Sequence, residues 1–310
     1  MRTVPIVFAF DNNLVFPATI CISSLLLSAA KETFYHIYIL HGSDVTLDPT
    51  DFKRLEAHHG NCKIEFRAVP PGLFKDCYEV RGITIATYYR LMIPEIIPEY
   101  DKIVYSDVDV IFREDQGKYF DIELPDNIYV AGVNCAAFLD KPVAERRTEE
   151  MQRSSPGFIY AGNIVLNSKA IREQNITDLF LEEVKKKHHL QDMEVLNRAC
   201  KGHILRLPPA FCLTPRLERM MQRRRSELGD IFSAEEIQEA FTNGTVHYAG
   251  PKPWNTSLCL DADVWWHAYR ESIFFDPAVT YNHGEKQFTW WDNLSLKKRL
   301  GLLFRYFTKA

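Results

Sequence analysis

The chain has 310 residues, of which 46% are hydrophobic and 25% are charged, as is ordinary for a globular protein. Its formal net charge of −4 argues against general nucleic-acid binding. The seven scattered cysteines include no Cys-x-x-Cys pair, which argues against a disulfide framework or a zinc site and favours a reducing, cytoplasmic compartment.

The first half of the chain alternates between strand-like and helix-like segments. Apolar runs predict strands at residues 4–10, 36–40, 63–67, 103–105 and 128–131, and helical patterns predict helices at 18–30, 52–58 and 86–97. Such alternation implies an α/β fold with a mainly parallel sheet and helices on both faces. The first apolar run is too short for a membrane span and lacks the features of a signal peptide. No glycine-rich dinucleotide motif or Walker loop follows it.

The second half is mixed. Residues 158–167 and 203–207 have extended patterns, 175–188 and 193–200 have helical patterns, and 216–241 forms a polar helical stretch. We see no low-complexity linker and no internal repeat. The sequence therefore predicts one compact domain over residues 1–290, followed by a tail of different character at residues 291–310.

The tail is basic and amphipathic. From Leu294 onward the chain holds no acidic residue but five basic ones, namely Lys297, Lys298, Arg299, Arg305 and Lys309. Apolar residues recur at helical spacing, at Leu296, Leu300, Leu303, Phe304 and Phe307, and Trp290 and Trp291 precede them. This pattern predicts a helix that lies on an anionic membrane surface at the inner face of the cell membrane. The alternative is a terminal helix that packs on the protein's own core.

Two carboxylates, Asp107 and Asp109, follow the apolar run at 103–105. Residues i and i+2 of a strand point to the same side, and open α/β sheets bind ligands at the carboxyl ends of their strands. Two oxygen ligands there suit a divalent cation that also holds a phosphate. The Asp-x-Asp pattern is also compatible with a simple turn. It occurs in the haloacid-dehalogenase phosphatases too, but Ala234 stands where a second aspartate of their later motif is expected.

A second cluster spans residues 247–254. We expect His247 on a short strand or just past it, while Gly250 permits close backbone approach and Lys252 supplies a charge suited to phosphate. A lone histidine is more often structural. Beside Asp107 and Asp109, however, His247 offers a third ligand, and two oxygens with one imidazole nitrogen suit Mn²⁺ or Mg²⁺, with manganese tolerating nitrogen better.

These clusters resemble motifs of the family 8 glycosyltransferases, which are retaining enzymes with a GT-A fold and include bacterial lipopolysaccharide galactosyl- and glucosyltransferases. The resemblance runs from Val4 to Asn255, and its separate motifs occur in the family's order. They lie at residues 7–13, 86–91, 105–109, 160–167, 191–197 and 247–254.

The resemblance implies transfer of a hexose, galactose or glucose, from a UDP-sugar to a saccharide or lipid-linked glycan acceptor of a surface glycan such as lipopolysaccharide. The diphosphate leaving group of such a donor needs a cation and basic groups. The implied metal ligands are Asp107, Asp109 and His247. The implied donor-binding residues are Ala9, Asp11, Asn13, Arg90, Asn134, Ala161, Gly162, Gly250 and Lys252. Asp192 is the implied catalytic residue and holds a sugar hydroxyl near the anomeric carbon. Arg90 could instead be a surface residue, and Asn134 or Asp192 a helix cap.

The chain departs from the family pattern near the reacting centre. Met193 replaces a glutamine that lies near the anomeric carbon, and Leu14 stands where an aromatic residue is frequent. A methionine thioether is a poor nucleophile and is neither an acid nor a base. We therefore expect transfer on the same face of the sugar, with the leaving phosphate helping to deprotonate the acceptor. The alternative is a nucleotide-sugar-binding protein that does not turn its ligand over.

Overall fold

The computed structural model describes residues 1–70, 72–74, 77, 85–135, 157–223, 228, 231–256, 259–279 and 295–308. Its central feature is a seven-stranded sheet in the order β3-β2-β1-β4-β7-β6-β8. The strands are β1 (Arg2–Ala9), β2 (Thr33–Gly42), β3 (Cys62–Val69), β4 (Ile103–Ser106), β6 (Val130–Asn134), β7 (Ile159–Leu166) and β8 (Ile204–Arg206). Neighbouring strands are parallel except where β7 pairs with β4 and with β6, so the predicted mainly parallel sheet is confirmed.

A two-stranded antiparallel sheet lies beside the main one. It pairs β5 (Val110–Ile111) with β9 (Val246–His247), and the register places Val110 opposite His247. The short strand predicted at His247 is therefore present. Because β5 follows β4 after only three residues, this pairing brings the second half of the chain to the carboxyl end of β4.

Helices cover both faces of the main sheet. In the parts of the chain that the structure describes, they are α1 (Val15–Leu27), α2 (Thr50–His59), α3 (Ile93–Ile96), α4 (Gly117–Phe120), α5 (Ser168–Glu173), α6 (Ile176–Val184), α7 (Gln191–Ala199), α8 (Pro215–Arg223), α9 (Ala234–Asn243), α10 (Ala262–Glu271) and α11 (Leu296–Thr308). Short 3₁₀ helices span Asn12–Leu14, Ile85–Met92 and Pro209–Phe211.

The core has two parts because successive side chains of β1 point to opposite faces. Ile6 and Phe8 pack with apolar residues of α1 and α2 in one cluster. Val7 packs in the other cluster, which includes Phe180 of α6 and Leu196 of α7. All three β1 residues are fully buried, so β1 is covered on both faces, as expected of a strand at the centre of a parallel sheet.

Several predicted elements have shifted ends, such as the helix predicted at 18–30 and found at Val15–Leu27, and three differences have a clear location. The helix expected at 86–97 is a 3₁₀ helix followed by the short α3, because Pro94 has no N–H to continue an α-helical ladder. The described residues of the stretch at 216–241 fall in two helices, α8 and α9, rather than one. Ser233 starts α9 with a capping box: its Oγ accepts from Glu236 N at 3.1 Å, and Glu236 accepts from Ser233 N at 2.8 Å. Strand β6 begins and ends later than predicted, at Val130–Asn134.

The tail forms a helix, α11, as the apolar spacing predicted. Leu296, Leu300 and Leu303 are 72%, 56% and 37% exposed, so these leucines do not pack on the described part of the core. Trp290, Trp291 and Lys309 lie outside the described residues. Within the described ranges, no helix has the length and apolar character needed to cross a membrane.

Candidate active site

Asp107, Asp109 and His247 come together at the carboxyl end of β4. The two aspartates lie in the connection between β4 and β5 rather than within a strand. His247 Nε2 lies 3.3 Å from Asp109 Oδ1 and 3.6 Å from Asp107 Oδ2. One ligand atom from each residue can be chosen so that all three lie within 4.8 Å of one another. The structure therefore assembles the predicted set of two carboxylate oxygens and one imidazole nitrogen.

Gly162 leaves the space that this cluster occupies. Its carbonyl accepts a hydrogen bond from Asp107 N at 2.7 Å. A Cβ at this position would lie 2.2 Å from His247 Cε1 and 2.7 Å from Asp107 Oδ2. Any larger residue would displace the imidazole or the carboxylate, so the donor set and the space around it both fit a divalent cation.

Charges balance around Asp109. Burial acts to raise the pKa of Asp109, but the neighbouring His247 and Lys252 outweigh it and hold this pKa well below its usual range. Lys252 Nζ donates to Asp109 Oδ2 and to the Tyr248 carbonyl. Burial lowers the pKa of His247, but Asp109 reverses the effect and holds this pKa well above its ordinary value. His247 and Lys252 thus place two basic side chains against the Asp109 carboxylate.

Arg90 joins this cluster to Asp192. Arg90 is 4% exposed, so it is not a surface residue. Its Nη2 donates to Asp107 Oδ1 at 2.8 Å, its Nε lies 3.0 Å from Asp192 Oδ2, and its Nη1 donates to the Ala161 carbonyl at 2.5 Å. It also lies over the Tyr105 ring, 4.4 Å from the centroid. Arg90 thereby fixes the two carboxylates relative to each other.

Asp192 lies in the first turn of α7 and is 6% exposed. Its Oδ1 accepts from Thr87 Oγ1 at 2.8 Å. Burial raises the pKa of Asp192 above its ordinary value, against the opposing charge of Arg90. Asp192 is thus a buried acceptor that the Ile85–Met92 3₁₀ helix holds through both Thr87 and Arg90.

The other predicted donor-binding residues lie at the same edge of the sheet. Strands β1, β4 and β6 run in one direction and β7 runs in the other. The carboxyl ends of β1, β4 and β6 therefore lie at the same edge of the sheet as the amino-terminal half of β7. This edge carries Ala9, Asn134, Ala161 and Gly162 at strand positions. Asn134 lies within β6, so it is not a helix cap.

The two loops that flank this edge hold the remaining predicted residues. Asp11 accepts from Asn13 N at 2.9 Å and caps the 3₁₀ helix at Asn12–Leu14. On the other side Gly250 has φ +154°, a backbone conformation that residues other than glycine rarely adopt. Lys252 follows it two residues later.

Two buried asparagines support the site although the sequence analysis gave them no role. Asn163 Nδ2 donates to the Phe211 carbonyl at 3.1 Å, and its Oδ1 accepts from Ser106 Oγ at 3.0 Å. Asn197 exchanges hydrogen bonds with both backbone groups of Ile159, at 2.8 and 2.9 Å, and so ties α7 to β7. Both lie inside motif segments, but their partners are far away in the sequence.

Comparison with known proteins identifies the family of this chain. The sequence profile of Glycosyl transferase family 8 matches residues 5–257. The chain belongs to glycosyl transferase family 8. General stress protein A of Bacillus subtilis is 25% identical over 265 residues, which is 83% of this chain and 87% of that protein. A putative glycosyltransferase of Haemophilus influenzae is 26% identical over 219 residues, which is 69% of this chain and 64% of that protein.

Solved structures agree on the fold. A galactosyltransferase LgtC in complex with donor and acceptor sugar analogues superposes with a TM-score of 0.69 at 22% identity, covering 88% of this chain and 98% of the other. The bifunctional glycosyltransferase WbbM gives a TM-score of 0.72 at 22% identity, covering 92% of this chain but 52% of the WbbM chain. The chain thus spans about half of WbbM. The predicted GT-A fold is confirmed, and family membership makes the protein a glycosyltransferase rather than a phosphatase.

Proposed function

We propose that this protein is a metal-dependent retaining glycosyltransferase that transfers a hexose, galactose or glucose, from a UDP-sugar to a saccharide acceptor. One observation carries the proposal: Arg90 links the cluster of Asp107, Asp109 and His247 to Asp192 at one edge of the sheet. A sugar donor with a charged leaving group needs such an arrangement. The cation ligands serve the leaving group, and the buried carboxylate beside them accepts a hydrogen bond from a sugar hydroxyl.

Asp107, Asp109 and His247 would hold the cation. Their oxygen and nitrogen donors favour Mn²⁺, with Mg²⁺ as the alternative. When bound, the cation stabilises the negative charge that develops on the diphosphate leaving group. Lys252 adds a positive charge beside Asp109. Asp11 and Asn13, in the loop after β1, are the residues we assign to the uridine.

All three guanidinium nitrogens of Arg90 contact protein oxygens. We therefore assign Arg90 a positioning role toward Asp107 and Asp192, besides any contact with the donor. Asn134, Ala161, Gly162 and Gly250 complete the donor site. Asp192 accepts a hydrogen bond from a sugar hydroxyl and so fixes the ring relative to the leaving group.

Transfer proceeds on one face of the sugar. The bond between the anomeric carbon and the phosphate oxygen breaks, and the acceptor oxygen bonds to the same face. The acceptor proton passes to the departing phosphate oxygen, and UDP leaves. Met193 supports this course, because its thioether cannot act as a base and lies partly buried against the core. A covalent glycosyl adduct on a residue near Met193, detected by mass spectrometry, would contradict it.

The acceptor that we propose is a lipid-linked saccharide, such as a growing lipopolysaccharide or another surface glycan. Support comes from α11, where three exposed leucines lie beside Lys297, Lys298 and Arg299. We propose residues 1–290 as the catalytic domain and 291–310 as a tail that lies on the membrane. Proximity to the membrane would bring the site to its acceptor.

The deciding experiment measures UDP release from a panel of UDP-sugars with and without Mn²⁺. We expect one donor to be consumed with Mn²⁺ and the reaction to disappear in Asp109→Asn. The control is Asp51→Asn, which makes the same change on the exposed surface of α2. If UDP binds but no donor is consumed, even with glycan acceptors, the protein is a nucleotide-sugar-binding protein. Met193 and Leu14 are then the first positions at which to restore the residue type that is usual in the family.

A further inference from the structure

The imidazole of His247 has a second contact, on the side away from the aspartates. Its Nδ1 lies 3.6 Å from the Sγ of Cys212, within hydrogen-bonding range for sulfur. Cys212 is fully buried and His247 is 6% exposed. The ring therefore has a carboxylate pair at Nε2 and a thiol at Nδ1, in a place that water does not reach freely.

The backbone fixes Cys212 at this position. Cys212 follows the 3₁₀ helix at Pro209–Phe211, and the next residue, Leu213, forms a parallel bridge with Val246 of β9. Leu213 N donates to the Thr245 carbonyl at 2.8 Å, and His247 N donates to the Leu213 carbonyl at 3.0 Å. Cys212 and His247 thus belong to adjoining, hydrogen-bonded segments.

The same segment is tied to the aspartate side of the site. Phe211, which precedes Cys212, accepts from Asn163, and Asn163 accepts from Ser106, which precedes Asp107. The thiol is therefore fixed relative to the carboxylates as well as to the imidazole. By contrast, Cys21 donates to the main-chain carbonyl of Asp107 at 3.8 Å and does not contact a ligand side chain in that bond.

We infer that Cys212 is a positioning residue that holds the metal-binding tautomer of His247. A cation at Nε2 needs the lone pair there, so the ring proton must reside on Nδ1 and donate to a partner. Cys212 Sγ is the acceptor placed to receive it. Outer partners of this kind orient the ligand and tune metal affinity. This inference rests on the cation site of the proposed function.

The partner is a cysteine sulfur, where metal-binding histidines usually have a carboxylate or a carbonyl. Sulfur is a weak hydrogen-bond acceptor, so the contact orients the ring without forming a strong hydrogen bond. Gly162 limits ring movement on a further side, because its α-carbon faces Cε1 and Nδ1 of His247. The lack of a side chain at Gly162 thus leaves room for the His247 ring, and the sulfur of Cys212 fixes the ring's orientation.

The test measures Mn²⁺ binding by the electron paramagnetic resonance signal of the free ion. This measurement requires no turnover. We expect Cys212→Ala and the closer-sized Cys212→Val to weaken Mn²⁺ binding about 10- to 100-fold, because neither accepts the Nδ1 proton. Cys212→Ser, whose hydroxyl accepts that proton, should stay within about 3-fold of wild type. The control is Cys200→Ala, a fully buried thiol at the end of α7 in the other core cluster.

Turnover should follow the same order, and raised Mn²⁺ should restore it in Cys212→Ala with kcat near wild type. Equal Mn²⁺ affinity in wild type, Cys212→Ala and Cys212→Val would overturn the inference while leaving the proposed function intact. Equal weakening in Cys212→Ser and Cys212→Val would overturn it too, since packing would then explain the loss. If wild type itself binds no Mn²⁺, the proposed metal-dependent function fails first and the inference fails with it.

Discussion

Arg90 Nη2 donates to Asp107 Oδ1 at 2.8 Å, from a guanidinium that is almost completely buried. A buried charge is tolerable only when it is paired, and removing one partner leaves the other uncompensated. Asp107 is therefore both a member of the candidate cation site and the counter-ion of Arg90. The architecture of the site and the stability of the domain depend on the same carboxylate.

Arg90→Met should lower the free energy of unfolding by about 3–5 kcal/mol, because Asp107 and Asp192 would lose their shared buried partner. Urea denaturation measures the change. Arg54→Met, at an exposed arginine of α2, should change it by no more than about 0.5 kcal/mol. Equal midpoints for the two variants would show that the buried ion pair contributes nothing to stability.

Gly162→Ala should abolish Mn²⁺ binding, because the new methyl group would overlap His247 and Asp107. Gly132→Ala is the matched control in the neighbouring strand, where the nearest atom is the flexible end of the Ile159 side chain. We expect it to retain Mn²⁺ affinity. Calorimetric titration of both variants with Mn²⁺ makes the comparison, and undiminished binding by Gly162→Ala would contradict the geometry of the site.

Mn²⁺ affinity should fall as the pH is lowered, because the cation requires a neutral His247. In the metal-free protein Asp109 raises the pKa of His247 above its ordinary value of 6.5, so protons compete with the cation already at neutral pH. Below the raised pKa we expect affinity to fall about tenfold per pH unit. Mn²⁺ titrations between pH 6 and 9 test this, and a flat profile would remove His247 from the ligand set.

The contribution of His247 to the stability of the metal-free protein should depend on pH in the opposite direction, decreasing as the pH rises. The raised pKa of His247 contributes stability that is fully present below the unfolded value of 6.5 and is lost as pH rises through the folded pKa. His247→Gln should therefore lose most stability, relative to wild type, at the acidic end of this range. Thermal unfolding in the presence of a chelator measures it, and an equal loss at all pH values would argue against the ion pair with Asp109.

Removal of residues 294–310 should release the protein from anionic vesicles, because it removes the exposed leucines and the basic residues together. Each basic residue near such a surface contributes about 1 kcal/mol, so Lys297→Glu with Lys298→Glu should also weaken binding. Co-sedimentation measures both. Activity toward a soluble acceptor should stay unchanged. If the shortened chain sediments with vesicles as the full chain does, α11 is not the anchor.

The cluster of Asp107, Asp109 and His247 could be predicted from sequence because each residue lies in a short pattern with its own chemistry. Asp107 and Asp109 follow a buried strand, and His247 precedes a glycine and a lysine at close spacing. The parallel sheet was predictable for a similar reason, since apolar runs alternate with helical ones. The break before Ser233 was missed because a polar stretch shows no periodic interruption there.

The contacts of Arg90 and Cys212 could not be predicted in the same way. Arg90 reaches Asp107 and Asp192 from a 3₁₀ helix at residues 85–92, which helical periodicity does not distinguish from an α-helix. Cys212 meets His247 although the two residues are 35 positions apart, because Leu213 forms a bridge with Val246. Pairings of this kind depend on tertiary packing, which a local pattern does not contain.

The pairing of β5 with β9 has a consequence for biosynthesis. Asp107 and Asp109 leave the ribosome long before His247, since His247 comes 138 positions after Asp109 (247 minus 109). A nascent chain that ends before Val246 holds two of the three ligands and lacks the strand that aligns them. The candidate cation site is therefore complete only after the second half of the polypeptide has been made and has docked on the first.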